Sequence, residues 1–155
     1  MATTQSTYDN LPKMGFGLGL AGLLLGLAIA AAALGRSVGF GVAPVLGSEA
    51  VHVQAQVQLL AGCVPIFLAL VWSMVSPVDE ATARLRPLLI VVVLLAFVTG
   101  VLTMALNWAI EMGYVADHAA LIPAALGVAV AILYTAFVAA LPLASNIAVA
   151  SQIVL

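Results

Sequence analysis

The stretch Val51–Leu60, Val-His-Val-Gln-Ala-Gln-Val-Gln-Leu-Leu, opens a long apolar run and places polar side chains inside it. Polar residues at every second position would, on their own, favour a half-buried strand. The apolar run continues well beyond this stretch, however, and its length is typical of a helix that crosses a membrane. On a helix, His52 and Gln56 share one face. Gln54 and Gln58 share another face, about 160° away at about 100° per residue. The sequence therefore predicts a membrane-spanning helix with two polar stripes at its beginning.

The composition of the chain points to an integral membrane protein. Its 155 residues are 65% hydrophobic and 6% charged, with a mean hydropathy of +1.27, whereas soluble domains carry about 25% charged residues. The length predicts a single transmembrane domain over residues 1–155. A net charge of -2 and the lack of a basic run exclude nucleic acid as an expected partner. The single cysteine, Cys63, cannot form an intrachain disulfide.

Four apolar segments predict an all-α, integral membrane four-helix bundle. The predicted helices cover about residues 14–35, 51–76, 87–110 and 119–141. The first is too long for the apolar region of a cleaved signal peptide. Pro65 predicts a kink in the second helix. Residues 1–12 predict a polar tail, and the apolar segment 143–155 is compatible either with more helix or with the membrane interface.

The first predicted helix carries a stripe of small residues. Its glycines are spaced at i, i+4, i+7 and i+11: Gly15, Gly19, Gly22 and Gly26. Glycines at this spacing predict close helix packing, because packing rather than hydrophobicity holds helices together in lipid. The spacing leaves open whether the partner helix belongs to this chain or to another. We expect Gly19→Leu or Gly22→Leu to disrupt association.

The basic residues predict how the chain is oriented in the membrane. With four helices, Lys13, Arg84 and Arg86 lie on one side and Arg36 on the other. The positive-inside rule then places both termini in the cytoplasm. We expect the protein in a prokaryotic cytoplasmic membrane or an equivalent energy-transducing membrane.

This topology gathers most of the polar side chains at the outer end of the bundle. The start of the second helix, the end of the third and the start of the fourth meet there. They carry Glu49, His52, Gln54, Gln56, Gln58, Asn107, Glu111, Asp117 and His118. We expect any chemical site at this end. The sequence has no nucleophile–base pair, P-loop or CxxC motif, so a hydrolase or nucleotide-dependent enzyme has no support.

The polar residues allow more than one interpretation. His52 and His118 could hold one haem iron, or a copper or zinc ion together with Glu111 or Asp117. They could equally be interfacial residues near helix starts. Gln54, Gln56 and Gln58 could form interhelical hydrogen bonds, or line a polar pocket for a quinone head group, haem propionates or a proton path. We list them with the histidines as candidate cofactor-binding residues.

The segment His52-Val-Gln54-Ala-Gln56-Val-Gln58-Leu59-Leu60-Ala-Gly62 resembles a second-helix motif of small four-helix proteins related to haem–copper oxidase subunit I. That motif is roughly His-x-His-x-Asn-Leu-Leu-Gly. The resemblance covers this segment and the order of the first two helices. His52 matches the first histidine, a type of residue that holds a low-spin haem, whereas glutamines replace the second histidine and the asparagine. The resemblance implies a place in a respiratory membrane complex.

The sequence therefore predicts a small, non-catalytic subunit of a larger membrane complex, of the respiratory or electron-transfer type. The expected partners are other membrane subunits or a second copy of the chain, together with lipid. One alternative is a haem- or metal-binding redox protein using His52 and His118, for which haem b would be the cofactor. The other is a small transporter or channel, whose path would be lined chiefly by Thr99, Thr103 and Thr135. The sequence alone identifies no cofactor.

Overall fold

A computed structural model describes residues 10–37, 39, 50–75 and 84–141. Among these residues, four helices are long and apolar enough to cross a membrane, which confirms the predicted all-α membrane bundle. We label them α1 (Asn10–Ser37), α2 (the continuous pieces Ala50–Val57, Gln58–Cys63 and Val64–Val75), α3 (Arg86–Glu111) and α4 (Leu121–Ala140). A short 3₁₀ turn, Asp117–Ala120, precedes α4. Glu49 and the segment 143–155 lie outside the described residues.

The helix α1 begins earlier than predicted. Residues 10–12 belong to its first turn and not to a polar tail. The reason is Leu11, which is only 6% exposed and packs in the core beside Leu68 and Trp72. Burial of this side chain favours extending the helix by a turn, and Pro12 is tolerated there because the first turn has no intrahelical partners for its N–H groups.

The helix α2 changes its winding in the middle. Residues Gln58–Cys63 form a π-helical turn, in which the backbone N–H of Val64 donates to the carbonyl oxygen of Leu59. The next residue, Pro65, has no N–H to donate to the carbonyl of Ala61, four residues before it. A π-helical turn beside this proline accommodates the missing donor. The feature lies where the sequence predicted a kink, and such turns are a known cause of kinks.

The bundle is held by sequential helix contacts. Helix α1 packs along α2, α2 along α3, and α3 along α4. Two aromatic pairs join the second halves of α2 and α4: Phe67 with Tyr134, with ring centroids 6.2 Å apart, and Trp72 with Phe137, 6.5 Å apart. These pairs fix the separation of α2 and α4 at the end of the bundle opposite to the start of both helices.

The glycine stripe of α1 faces α2 of the same chain. A Cβ atom built at Gly15 would lie 2.8 Å from Cβ of Ala69, and one at Gly19 would lie 2.7 Å from the carbonyl oxygen of Gly62. The same construction at Gly22 meets the backbone of Ala61, and at Gly26 it meets the side chain of Gln58. The helix that packs against the glycine stripe is therefore α2 of the same chain, a question that the sequence alone leaves open. We now expect Gly19→Leu and Gly22→Leu to act first on the fold of this chain, and not directly on its association.

Three helices meet at Ala61, inside the π-helical turn. Ala61 is fully buried. On one side its backbone lies against Gly22 of α1, and on the other its Cβ would lie 2.7 Å from a Cβ built at Gly100 of α3. Only glycine allows the two neighbouring backbones to approach so closely, as in other closely packed membrane helices. Ala61 is therefore the tightest crossing point that we find among the described residues.

Candidate functional site: a polar cavity between three helices

A cavity of about 440 Å³ lies where α2 begins, α3 ends and α4 begins. Its polar lining consists of His52 and Gln56 from α2 and Thr103 and Asn107 from α3. These three helix ends are the ones that the predicted four-span topology brings together. Polar residues from two helices thus share one cavity, within the range of about 300–1,000 Å³ that is usual for ligand sites.

The wall of the cavity on the α4 side consists of Pro123, Val128 and four small residues. The small residues are spaced at i, i+4, i+7 and i+11: Ala120 at the end of the 3₁₀ turn, then Ala124, Gly127 and Ala131. This is the spacing of the glycine stripe on α1, but here the wall faces open space. A Cβ built at Gly127 would meet no atom of the described residues within 4 Å. The aromatic pairs hold α2 and α4 together at the other end of the bundle, so the cavity occupies the end at which the two helices lack such contacts.

The α3 side of the cavity carries two polar residues whose oxygen atoms can accept a hydrogen bond, Thr103 and Asn107. The hydroxyl of Thr103 donates to the carbonyl oxygen of Thr99 at 2.8 Å. Because its proton is used in this bond, the hydroxyl oxygen can take part in a further hydrogen bond only as an acceptor. The Oδ1 atom of Asn107 is buried and accepts no hydrogen bond from any residue that the structure describes. Buried polar atoms are normally paired, so an unpaired one is a reason to consider a ligand.

The two predicted polar stripes of α2 face different neighbours. His52 and Gln56 are exposed towards the cavity. Gln58 is half-buried and its side chain packs over Gly26 of α1. Gln54, also half-buried, is on the Gln58 face and does not line the cavity. Of the two stripes, only the one formed by His52 and Gln56 lines the cavity together with residues of α3 and α4.

The two histidines are placed differently. His52 lines the cavity, whereas His118 is exposed on the 3₁₀ turn before α4 and is not part of the lining. Within the described ranges, no group of three or more His, Cys, Asp or Glu side chains could hold a metal ion. One imidazole, two amides and a hydroxyl suit hydrogen bonding to an organic ligand better than ligation of haem or a metal. Haem or metal binding by His52 and His118 stays a prediction.

The threonines expected to line a transport path are bonded within their own helices. Thr99 is fully buried and donates to Leu95 at 2.7 Å, and Thr135 donates to Ala131 at 2.8 Å. With Thr103 bonded to Thr99, all three hydroxyl protons are used by backbone carbonyls, a common local arrangement in helices. These threonines therefore lend no support to a polar path from the cavity to the opposite end.

Sequence reasoning missed the α4 wall of this site. Its residues are apolar and carry no chemical motif, so a search for polar side chains does not identify them. The signal that could have found them is the small-residue spacing from Ala120 to Ala131, which repeats that of α1. From the sequence, Thr103 is predicted only as part of a transport path.

Comparison with known proteins does not assign the chain to a family. No protein-family model, curated protein or solved structure matches it. The function of the cavity therefore has to be inferred from its own residues.

Proposed function

We propose that this protein is a small subunit of a larger membrane assembly and has no catalytic chemistry of its own. The observation that carries the proposal is a second small-residue face on α1. Gly17, Ala21 and Ala28 are all exposed and lie on a side of the helix well away from the glycine stripe, with the exposed Leu24 among them. A Cβ built at Gly17 would meet no atom of the described residues within 4 Å. Small residues that face outwards leave room for a further helix to approach closely.

The distribution of the described residues also supports a subunit. Nearly all of them lie in the four helices, so this part of the chain has no water-exposed domain on which a substrate site could be built. The outer surface is strongly apolar, with large exposed side chains such as Leu20, Leu24 and Ile132. This surface suits contact with lipid or with other membrane helices, which are the expected partners.

The class of assembly rests on the sequence. On the resemblance of the segment 52–62 to the oxidase-related motif, we assign the assembly to the respiratory, electron-transfer type. The positive-inside rule supports cytoplasmic termini, with the cavity at the outer face of a prokaryotic cytoplasmic membrane or an equivalent energy-transducing membrane. The partner is either another membrane subunit or a second copy of this chain.

The proposal is tested with Gly17→Leu. Leucine at this position would occupy the space that a partner helix needs, and its Cβ would lie in open space. We expect the variant to fold normally and to lose its partners, measured by native gel electrophoresis and by mass spectrometry of the chains that co-purify in mild detergent. The matched control is Ala125→Leu on the exposed face of α4, which should keep them. Unchanged partners in Gly17→Leu, or a wild-type protein that is monomeric and without partners, would count against the proposal.

A further inference from the structure

The cavity between α2, α3 and α4 has the properties of a ligand site. We propose that it binds a neutral amphiphile whose head group donates a hydrogen bond through a hydroxyl, the chemistry shared by quinols and by glyceride lipids. This inference does not depend on the assembly proposed above, because the cavity is formed entirely within one chain and away from the outer face of α1.

The need for a donor follows from the acceptors on α3. The hydroxyl of Thr103 has given its proton to Thr99, and Oδ1 of Asn107 is buried without a donor from the described residues. The two side chains are one helical turn apart. Because Oδ1 of Asn107 is buried, its side chain has to turn towards the cavity for a single head group to reach both. Leaving a buried acceptor unpaired costs free energy that a ligand donor would recover. An ether or ester oxygen, which only accepts, would not satisfy either atom.

The charge of the lining indicates a neutral ligand. The described residues around the cavity include no Asp, Glu, Lys or Arg. An ionic head group would therefore lose its hydration without meeting an opposite charge, which is unfavourable in an apolar environment. His52 and Gln56 can each donate or accept, so they can complete the hydrogen bonds of a neutral head group from the α2 side of the cavity.

The deeper part of the cavity suits an apolar tail. Leu60 of α2 lies two turns beyond His52, about 12 Å along the helix at 1.5 Å per residue. With Val128 of α4 it forms an apolar region beyond the polar groups, whereas Leu106 lies beside Asn107 at their level. The polar end is at the start of α2 and the apolar end is nearer the middle of the helix. An amphiphile would therefore bind with its hydroxyl at the outer end and its tail towards the centre of the bilayer.

The test compares matched probes bound to the full chain in phosphatidylcholine nanodiscs. The probes are a decyl-substituted hydroquinone, its dimethyl ether, and 1-monodecanoylglycerol, and binding is corrected for partition into empty nanodiscs. We expect the hydroquinone to bind at least about tenfold tighter than its ether, equivalent to about 1.4 kcal/mol. The ratio should fall in Asn107→Leu, which removes one of the two acceptors and leaves Thr103.

A second variant makes the result independent of any effect of Asn107→Leu on folding. In Gly127→Leu the new side chain extends into open space in the cavity and should abolish binding of the hydroxylated probes. Gly17→Leu, the matched substitution on the outer face of α1, should bind them normally even where it loses its partners. Equal binding of hydroquinone and ether by the wild type, or undiminished binding by Gly127→Leu, would overturn the proposal. Tighter binding of the hydroquinone assigns the natural ligand to the quinols, and tighter binding of the glyceride assigns it to lipid.

Discussion

The crossing at Ala61 gives a quantitative prediction. An alanine in place of an exposed helical glycine stabilises a helix by about 1 kcal/mol, and Gly17→Ala should show this gain because its Cβ enters open space. At Gly22 the new Cβ would meet the backbone of Ala61, which cannot turn aside as a flexible side chain can. Overpacking of this kind costs about 1–3 kcal/mol. Both substitutions gain helix propensity equally, so we expect Gly22→Ala to be about 1–3 kcal/mol less stable than Gly17→Ala.

A second substitution distinguishes the two sides of the crossing. A Cβ at Gly100 would first meet Cβ of Ala61, at 2.7 Å, and then its backbone nitrogen, at 2.9 Å. Ala61→Gly removes the first of these contacts, so it should partly rescue Gly100→Ala, with a coupling energy of about 1 kcal/mol. It should not rescue Gly22→Ala, because there the obstacle is the backbone carbonyl of Ala61.

The assay is unfolding in mixed micelles of a mild detergent and sodium dodecyl sulfate. Tryptophan fluorescence provides the signal, since Trp72 is 2% exposed in the folded protein and packs against Phe137. Equal stability of Gly22→Ala and Gly17→Ala would refute the close approach of α1 to α2. Equal rescue of both glycine variants by Ala61→Gly would refute the specific geometry at Ala61.

Four further predictions follow from the site. In the same assay, Asn107→Leu should leave the ligand-free protein as stable as the wild type or about 1 kcal/mol more stable, because it removes an unpaired buried acceptor. A large loss of stability would show that Asn107 has a structural partner. Gln58→Ala should lower stability by about 1 kcal/mol, since Gln58 packs over Gly26, whereas Gln56→Ala should not. The purified protein should show no haem Soret band, and a band that disappears in His52→Ala would favour the redox alternative. A cysteine replacing exposed Asp117, in a Cys63→Ser background, should react with an impermeant thiol reagent added outside intact cells, and reaction only after lysis would reverse the proposed orientation.

The four helices could be predicted from the sequence because hydropathy alone determines which segments are long and apolar enough to cross a membrane. The glycine spacing likewise predicted a close contact, although it could not show that α2 provides it. Periodicity separated His52 and Gln56 from Gln54 and Gln58, but which neighbour each face meets depends on how the helices are arranged. The π-helical turn was not predicted, since Pro65 is compatible with several ways of accommodating its missing N–H. The cavity was also missed in part, because one of its walls is made of small apolar residues without a chemical signature.

One polar face of α2 opens into a cavity, while the other packs against α1. Single cysteines at positions 56 and 58, in a Cys63→Ser background, test it directly with an impermeant thiol reagent. We expect Gln56→Cys to be modified from the outer side and to be protected by the decyl hydroquinone, and we expect Gln58→Cys not to be modified. Modification of both positions at the same rate, or of position 58 alone, would contradict it.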